Sequence, residues 1–331
     1  MKTKVLIPSD ICEVGKQYLR DRGYEIKLGH GVQEDDIISD AQGCGAILVR
    51  NESITRKVLE NIPTVKVISK HGVGVDKIDL KAAAEQNIWV TNAPLSNAMA
   101  VAEHTILLLL ACAKKLVCFD LAVRSGDFKI RNMMRGMDLA GKTIGIVGCG
   151  NAGELVAKKC VCGFNMRALG YDPHRSKTVR IREIEYVNSL EELFVQSDFI
   201  SLHVTGTKEN DGLIGNRQLS LMKPTAVLIN TSYGPAIDEL ALYETLREGK
   251  IVGAGLDVFA QEPPLLQNPL FTLPNIVVTP HVASLTYETA ERMCLHAAEG
   301  IDAVLSGKEP AWVCVRPQCP RMPCASVYYG S

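Results

Sequence analysis

Short apolar runs alternate with helical stretches along residues 1–95. The runs KVLIP, AILV, VKVIS and IWVT have the length and the β-branched content of buried strands. Helical stretches such as VGKQYLRDRG and KAAAEQ lie between them. Alternating strands and helices predict a parallel sheet flanked by helices, so the expected fold class is α/β.

The alternation starts again at Thr143, after a long helix predicted from Ala98 to about Cys118 and a less regular segment. Six strand-like runs follow, each with a polar loop or a helical pattern behind it: TIGIV, MRALGY, DFISLH, TAVLIN, IVGAGLDV and NIVVT. Six such units predict a doubly wound sheet. A final helix is predicted from about Thr286 to Leu305. The pattern therefore indicates two α/β domains, the second of which is central in the chain.

Composition narrows the expected partners to small molecules. The 331 residues include 36 Lys and Arg against 37 Asp and Glu, which gives no reason to expect a nucleic acid or an acidic membrane as partner. The longest apolar run, ILLLLACA, is far short of the roughly 20 residues that span a bilayer. The amino terminus lacks the apolar stretch and the cleavage site of a signal peptide, so the expected location is the cytoplasm.

The cysteine and histidine positions predict no metal site. The eleven cysteines are an odd number, and they lack the close pairing of zinc ligands. Cys314, Cys319 and Cys324 lie in a Pro-rich tail without a helical or strand period, where disorder is favoured over metal binding. The seven histidines offer no pair spaced i, i+4 apart.

Three glycines follow the strand-like run TIGIV and precede a helical pattern. Gly148, Gly150 and Gly153 have the spacing G-x-G-x-x-G, in which the first glycine permits a tight turn. The second lets backbone amides approach a pyrophosphate at the helix amino end, and the third allows close helix packing. This context predicts a dinucleotide-binding site.

Asp172 follows the next strand-like run, nineteen residues after Gly153. Its carboxylate can accept hydrogen bonds from a ribose 2′-hydroxyl and would repel a 2′-phosphate, which favours NAD over NADP. An Asp-Pro turn without a ligand is the alternative interpretation. His174 and Arg175 leave some room for NADP.

Two apolar runs near the end of the chain lead into polar residues. VVTPHVAS places His281 after one run, and GLDVFAQEP places Asp257 and then Glu262 after another. Because the carboxyl ends of strands in a doubly wound sheet face the ligand crevice, His281 and Glu262 are expected to be able to meet. A glutamate that accepts a hydrogen bond from imidazole fixes the tautomer and favours an acid/base role. Taken singly, each residue is more often an ordinary polar loop group.

The stretch KHGVGVDKIDL has two interpretations of equal weight. The backbone amides around Gly72, Val73 and Gly74 could form an anion-binding concavity. The same residues could be a Gly-rich turn before a helix that begins near Asp79.

Together these motifs resemble the D-isomer specific 2-hydroxyacid dehydrogenases over about residues 1–310, in the phosphoglycerate dehydrogenase-like form without a regulatory domain. The stretches that carry the resemblance are SKHGVGVDKIDL, NAMAVAEHTILLLL, GKTIGIVGCGNAGELVAKK, LHVTGTKENDGLIG, INTSYGPAIDELAL, GAGLDVFAQEP and TPHVAS. The resemblance implies a central Rossmann NAD domain at 98–285. It also implies a flavodoxin-like catalytic domain formed by both chain ends, 1–97 and 286–316, with a cleft between the domains. Residues 317–331 are expected to be a disordered tail.

The resemblance also implies roles for individual residues. His281 would be the proton donor and acceptor, Glu262 its partner, and the amides of Val73 and Gly74 would bind the substrate carboxylate. Arg50, in the loop VRNESIT, is a further candidate for substrate contact. With Gly148 and Gly150, the implied NAD contacts are Ala152, Gly153, Asp172, Val204, Thr205, Asn210, Thr231, Ser232 and Asp257. The substrate would be a 2-oxo or 2-hydroxy acid, and the chain would form a homodimer through the long helices of its NAD domain.

Tyr233 departs from the family pattern N-T-x-R-G, whose arginine binds the carboxylate and the carbonyl oxygen of the substrate. A phenol offers one neutral donor where a guanidinium is a bidentate cation. Substrate anchoring and stabilisation of the developing alkoxide should therefore weaken. Ala100 and Ala260 also stand where the family often has a serine and a glutamate.

Three functions are compatible with these patterns. The favoured one is NAD-dependent reduction of a 2-oxo acid to a D-2-hydroxy acid, and the reverse, impaired or retuned by Tyr233. The second is an NAD-binding sensor or pseudoenzyme without turnover, against which the intact His281 and Glu262 argue. The third, a Rossmann protein that binds another adenosine ligand such as S-adenosylmethionine, would leave that pair unexplained.

Overall fold

The computed structural model describes residues 2–174 and 182–321. Arg175, Cys324 and the rest of the predicted tail after residue 321 lie outside the described residues. The chain forms two compact units, Met1–Asn97 with Leu285–Ser331 and Ala98–Ser284.

The first unit is built on a six-stranded sheet. Its strands, numbered in chain order, are β1 Lys4–Ile7, β2 Glu25–Leu28, β3 Cys44–Val49, β4 Val67–Lys70, β5 Trp89–Thr91 and β13 Val313–Val315. Its helices are α1 Glu13–Asp21, α2 Glu34–Asp40, α3 Arg56–Glu60, α4 Leu80–Glu85 and α11 Tyr287–Leu305. The sheet order is β13-β5-β4-β3-β1-β2, with β13 antiparallel to β5 and the other pairs parallel. The five parallel strands have the flavodoxin-like order 2-1-3-4-5.

Burial explains why these segments form this unit. All six residues of β3, CGAILV, are buried, as expected for a central strand covered on both faces. Helix α11 turns Cys294, Ala297, Ala298 and Ile301 into the core at helical spacing. A Cβ at Gly300 would lie 2.6 Å from the Thr91 hydroxyl, so glycine is needed where α11 meets β5.

The second unit is built on a seven-stranded parallel sheet. Its strands are β6 Thr143–Val147, β7 Arg167–Tyr171, β8 Ile184–Tyr186, β9 Phe199–Leu202, β10 Val227–Asn230, β11 Gly253–Leu256 and β12 Ile276–Val278. Its helices are α5 Ala98–Ala113, α6 Leu116–Arg124, α7 Asn151–Phe164, α8 Leu190–Gln196, α9 Asn216–Leu219 and α10 Glu239–Arg247. Short 3₁₀ segments lie at Phe128–Asn132, Lys208–Asn210, Gly234–Ala236 and Pro269–Thr272. The order β12-β11-β10-β9-β6-β7-β8 is the Rossmann order with a seventh strand added.

The predicted fold class is confirmed, because both sheets are doubly wound and the first is assembled from both chain ends. The switch in strand order of the second sheet lies between β6 and β9. Ligands of open α/β sheets bind outside the carboxyl ends of the strands at such a point. A ligand site in this unit is therefore expected beside the loops after β6 and β9.

Several predicted elements differ from the structure. The single helix predicted from Ala98 to about Cys118 is two helices, because Lys115 adopts a left-handed conformation with φ of 54° between α5 and α6. Strands β2, β8 and β13 were not predicted, and each lies at a sheet edge, where the apolar pattern is short. Cys314, expected in a tail without strand character, lies in β13.

The described part of the predicted tail contacts the first unit. The guanidinium of Arg321 donates to the carbonyl oxygens of Ile62 and Val65 at 2.8 and 2.9 Å. The amide of Cys319 donates to the Asn87 side chain at 3.2 Å. In the described part of the chain, no helix is long and apolar enough to cross a bilayer.

Candidate active site

The glycine-rich loop between β6 and α7 has the geometry of a phosphate cradle. Gly148 has φ of 89°, and a Cβ there would lie 2.5 Å from the carbonyl oxygen of His203. A Cβ at Gly153 would lie 2.3 Å from the carbonyl oxygen of Gly148. Gly150 caps the 14-residue helix α7, and a Cβ there would meet no protein atom within 4 Å. The loop is therefore packed tightly at its two ends and open at Gly150, which suits a pyrophosphate at the helix amino end.

A buried, neutral histidine follows β9, and its backbone lies beside this loop. Burial lowers the pKa of His203 to about 4, so the ring is uncharged at neutral pH. Its Nε2 lies 2.8 Å from the Ser201 hydroxyl, and its backbone amide donates to the carbonyl oxygen of Val147. Neither His203 nor Ser201 was predicted as part of the site. Both residues lie in the predicted strand DFISLH. His203 is brought to the loop only by the pairing of β9 with β6, which the spacing along the chain does not reveal.

Asp172 lies directly after β7, beside the same loop. One carboxylate oxygen accepts a hydrogen bond from the amide of Cys149 at 3.0 Å, and the other accepts one from the amide of His174 at 3.0 Å. The carboxylate therefore links the end of β7 to the glycine loop and is half-buried. This position matches that of an acidic residue that would meet the ribose of a dinucleotide.

The other predicted cofactor residues lie after neighbouring strands of the second unit. Val204 and Thr205 follow β9, and the Asn210 side chain donates to the Thr205 carbonyl oxygen at 2.8 Å. Thr231 and Ser232 follow β10, where the Thr231 hydroxyl lies 2.7 Å from that of Thr105. Ala152 lies in the first turn of α7.

The turn after β10 is organised by a fully buried side chain, that of Asn230. Its amide nitrogen donates to the carbonyl oxygen of Tyr233 at 2.8 Å, and its oxygen accepts from the amide and the hydroxyl of Ser232. These bonds fix the backbone that carries Tyr233. The Tyr233 hydroxyl donates to Asp211 at 2.8 Å, and the ring lies against Gly206. Asp211 and Asn230 were not predicted, although both lie in stretches that carry the family resemblance.

The turn after β12 is organised by a second fully buried side chain, Asp257. Its carboxylate accepts hydrogen bonds from the Thr279 hydroxyl at 2.5 Å and from the amides of Val282 and Ala283 at 2.9 Å. His281 lies between these donors with φ of 53°, a left-handed conformation that is uncommon outside glycine and asparagine and costs free energy in most residues. The carboxylate of Asp257 therefore holds the strained backbone from which the His281 ring projects.

His104 extends this network from helix α5. Its Nε2 lies 2.9 Å from the Thr279 hydroxyl and 3.5 Å from Asp257. The stretch NAMAVAEHTILLLL contains His104, but nothing in its spacing indicates a contact with residue 279. The contact requires the amino-terminal part of α5 to reach the carboxyl ends of β10 and β12, where Thr105 meets Thr231 and His104 meets Thr279.

His281 and Glu262 form a hydrogen-bonded pair. The His281 Nδ1 lies 2.6 Å from Glu262 Oε2, while the other Glu262 oxygen accepts from the amide of Phe259 at 3.1 Å. The His281 side chain is 58% exposed and that of Glu262 is 36% exposed, so the ring is accessible. A cavity of about 510 Å³ opens beside the pair, with Phe259, Phe271 and Val278 among its walls. A carboxylate on Nδ1 sets the tautomer and leaves Nε2 as the nitrogen that can exchange a proton with a ligand.

The predicted substrate residues of the first unit are exposed. Val73 and Gly74 lie in the loop after β4, where the Val73 carbonyl oxygen accepts from Asn92 at 2.8 Å. Arg50 donates from its guanidinium to the Asp10 carbonyl oxygen at 3.1 Å. His71, which precedes this loop, is half-buried, and this burial lowers its pKa to about 4.

Residues 106–283 match the model of the D-isomer specific 2-hydroxyacid dehydrogenase family, in its NAD binding domain. The chain belongs to this family. Both the resemblance inferred from sequence motifs and the expected class, NAD-dependent oxidoreductases, are confirmed at the level of the family. The prediction of NAD as cofactor is confirmed at the same level, and the open cradle at Gly150 and the carboxylate of Asp172 fit that group.

The named relatives of this chain include two kinds of protein. It is 39% identical over 318 residues to a glyoxylate reductase of Korarchaeum cryptofilum, covering 94% of this chain and 95% of that protein. It is 37% identical over 309 residues to a D-3-phosphoglycerate dehydrogenase of Archaeoglobus fulgidus, covering 92% of this chain but only 58% of that protein. The chain thus spans just over half the length of that dehydrogenase. A crystal structure of a Thermus thermophilus protein matches 95% of this chain and all of that one, at 36% identity and a TM-score of 0.83.

Proposed function

We propose that this chain catalyses the NADH-dependent reduction of a small 2-oxo acid to the D-2-hydroxy acid, and the reverse reaction. The observation that carries the proposal is the pair of His281 and Glu262, 2.6 Å apart, in the unit that has the dinucleotide cradle. An accessible imidazole held by a carboxylate is suited to move a proton to and from a substrate oxygen. A sensor without turnover would have no use for this pair, and the family match disfavours a different adenosine ligand.

The residues of the chain would divide the work as follows. His281 gives a proton from Nε2 to the carbonyl oxygen during reduction and takes it back during oxidation, while Glu262 stabilises the charged ring. The amides of Val73 and Gly74 hold the substrate carboxylate, with Arg50 as a further contact. The cofactor, when bound on the glycine loop, supplies or accepts the hydride.

Tyr233 makes this dehydrogenase unusual in the proposed reaction. The family arginine would polarise the substrate carbonyl, and a phenol that donates to Asp211 does not supply that positive charge. We therefore propose that turnover of ordinary 2-oxo acids is lowered or retuned rather than lost, because the proton-transfer pair is in place.

The names of the relatives suggest which acids to test. One relative is named a glyoxylate reductase and another a D-3-phosphoglycerate dehydrogenase. We propose small 2-oxo acids such as glyoxylate and hydroxypyruvate as substrates of this chain. Following NADH oxidation by absorbance with glyoxylate, hydroxypyruvate and pyruvate tests the proposal, with His281→Asn as the control. NADH binding without turnover of any acid by the unaltered protein would favour the sensor instead.

We also propose that the chain forms a homodimer through helix α6 and the segment after it. Between Leu116 and Met133 this surface leaves large apolar side chains exposed, an arrangement typical of protein–protein contacts. They are Leu116, Val117, Leu121, Val123, Phe128 and Met133. A Leu121→Lys, Phe128→Lys variant should sediment as a monomer, and an unchanged dimer would exclude this surface. The cytoplasmic location stays a prediction.

A further inference from the structure

The hydroxyl of Tyr233 is engaged within the second unit. It donates its proton to Asp211 Oδ1 at 2.8 Å, a normal distance for a hydroxyl bound to a carboxylate. A Cβ at Gly206 would lie 3.2 and 3.3 Å from two atoms of the Tyr233 ring. The absence of a side chain at Gly206 therefore makes room for the Tyr233 ring, and Asp211 fixes the hydroxyl end of that side chain.

The segment that carries Asp211 is already fastened at its other end. The amide of Gly212 donates to the Pro235 carbonyl oxygen at 2.8 Å, and that of Ile214 donates to the Ala236 carbonyl oxygen at 2.9 Å. Before residue 211 the segment carries the proposed cofactor contacts Val204, Thr205 and Asn210. The hydrogen bond between Asp211 and Tyr233 adds a further attachment of this segment to the turn after β10, and it is nearer than the first two to the proposed cofactor contacts.

We infer that Asp211 is a positioning and specificity-determining residue of the proposed reaction. It binds the side chain at position 233, ties the segment 204–211 to the turn after β10, and withdraws position 233 from substrate anchoring. This inference rests on the proposed function for its consequences on 2-oxo acids. Its consequence for the cofactor segment does not depend on turnover.

Asp211 also determines what a cation at position 233 would do. An arginine placed there would meet a carboxylate within reach, and guanidinium and carboxylate form strong bidentate pairs. The new cation would be neutralised by Asp211 before it reached a substrate. Restoring the family residue alone should therefore restore little of the missing assistance.

The test for the cofactor segment is a double-mutant cycle on NADH affinity, measured by fluorescence titration. Tyr233→Phe and Asp211→Ala should each raise the Kd for NADH by about 3- to 10-fold, the effect of one partly exposed charge-assisted hydrogen bond. The double variant should be no worse than the weaker-binding single variant. Asp211→Asn keeps an acceptor oxygen for the phenol and should recover most of the affinity. Additive effects, or an Asp211→Asn variant as weak as Asp211→Ala, would overturn the positioning role.

The test for specificity compares kcat/KM on glyoxylate and hydroxypyruvate. Tyr233→Arg alone should gain less than about 10-fold, whereas Tyr233→Arg with Asp211→Ala should gain about 10²- to 10³-fold, the range of single oxyanion donors. A full gain from Tyr233→Arg alone would contradict capture by Asp211. Absence of turnover in every variant would instead refute the proposed function, while the NADH cycle would still decide the role of Asp211.

Discussion

Two turns at the carboxyl edge of the second sheet are each held by a buried polar side chain. They differ in the kind of side chain that holds them and in the residue that they carry. After β10, the buried amide of Asn230 fixes a turn that carries Tyr233. After β12, a turn that carries His281 is held by the buried carboxylate of Asp257 from the end of β11. Only the second turn holds its functional residue in a left-handed conformation. The carboxylate is found at the turn whose backbone is strained and which carries the proposed acid/base group.

The two turns also differ in what a substitution of the residue that they carry would disturb. The Tyr233 side chain leaves its turn and packs on an exposed segment that contains Gly206 and Asp211. A change there requires only that this surface segment adapt. A change at His281 would have to preserve the backbone geometry and the bond to Glu262 together. The two turns therefore differ in how readily their functional residue can be exchanged.

The largest contrast is expected between substitutions at the two functional residues. His281→Asn should lower kcat by about 10³-fold, within the range of a lost general acid/base, because asparagine tolerates the left-handed backbone but transfers no proton. Tyr233→Phe should lower kcat by only about threefold at saturating NADH, since one exposed hydrogen bond is lost. Steady-state kinetics on hydroxypyruvate measure both. Similar losses for the two variants would remove the distinction between the turns.

The two buried side chains should differ in their effect on stability. Asp257→Ala leaves two backbone amides and a hydroxyl without their acceptor and should cost about 3 to 4 kcal/mol. Asn230→Ala removes neutral bonds in a short turn and should cost about 1 to 2 kcal/mol. Urea unfolding gives both values. Equal losses of stability in the two variants would show that the carboxylate of Asp257 holds its turn no more strongly than the amide of Asn230 does.

His203 extends the comparison to a third buried polar side chain in the same unit. Because burial lowers its pKa to about 4, the unfolded chain, in which histidine titrates near about 6.5, binds more protons between those pH values. Its contribution to stability is therefore complete above about pH 6.5 and is lost as the pH falls toward 4, by about 3 kcal/mol. His203→Gln keeps a partner for Ser201 without titrating, so its urea midpoint should fall less over that range. The same slope in both proteins would contradict this assignment.

The smallest expected effect concerns the choice of cofactor. The carboxylate of Asp172 already accepts hydrogen bonds from two backbone amides, which fix its position. At that position it would repel the 2′-phosphate of NADPH. NADH should bind about 10- to 100-fold more tightly than NADPH, and Asp172→Asn should narrow that ratio. Fluorescence titration of both nucleotides measures it. Equal affinities in the unaltered protein would mean that Asp172 does not face the ribose.

Local patterns predicted the parts of the molecule that depend on neighbouring residues. The positions of Gly148, Gly150 and Gly153 follow from strand, turn and helix signals within one short stretch. The meeting of His281 and Glu262 could be anticipated because both follow strands of one parallel sheet. The spacing of the glycines is enough to place the loop, and the rule that parallel strands end at one edge of the sheet is enough to bring the pair together.

Other features depend on contacts that no local pattern encodes. Lys115 adopts a left-handed conformation inside the stretch from Ala98 to Cys118, whose pattern predicts one helix, and the edge strands β2, β8 and β13 have short patterns. Asp211 is one of many exposed carboxylates in the sequence, and only the fold brings it to Tyr233. The sequence therefore drew attention to Tyr233 but did not indicate where its hydroxyl is bound.

The most direct test of the proposed function is the chirality and the amount of product. The protein is incubated with NADH and hydroxypyruvate, and the hydroxy acid formed is resolved by chiral chromatography against the NADH consumed. We predict the D-isomer in a one-to-one ratio with oxidised cofactor, and about 10³-fold slower formation with His281→Asn. The L-isomer, or no product from a protein that binds NADH, would contradict the account.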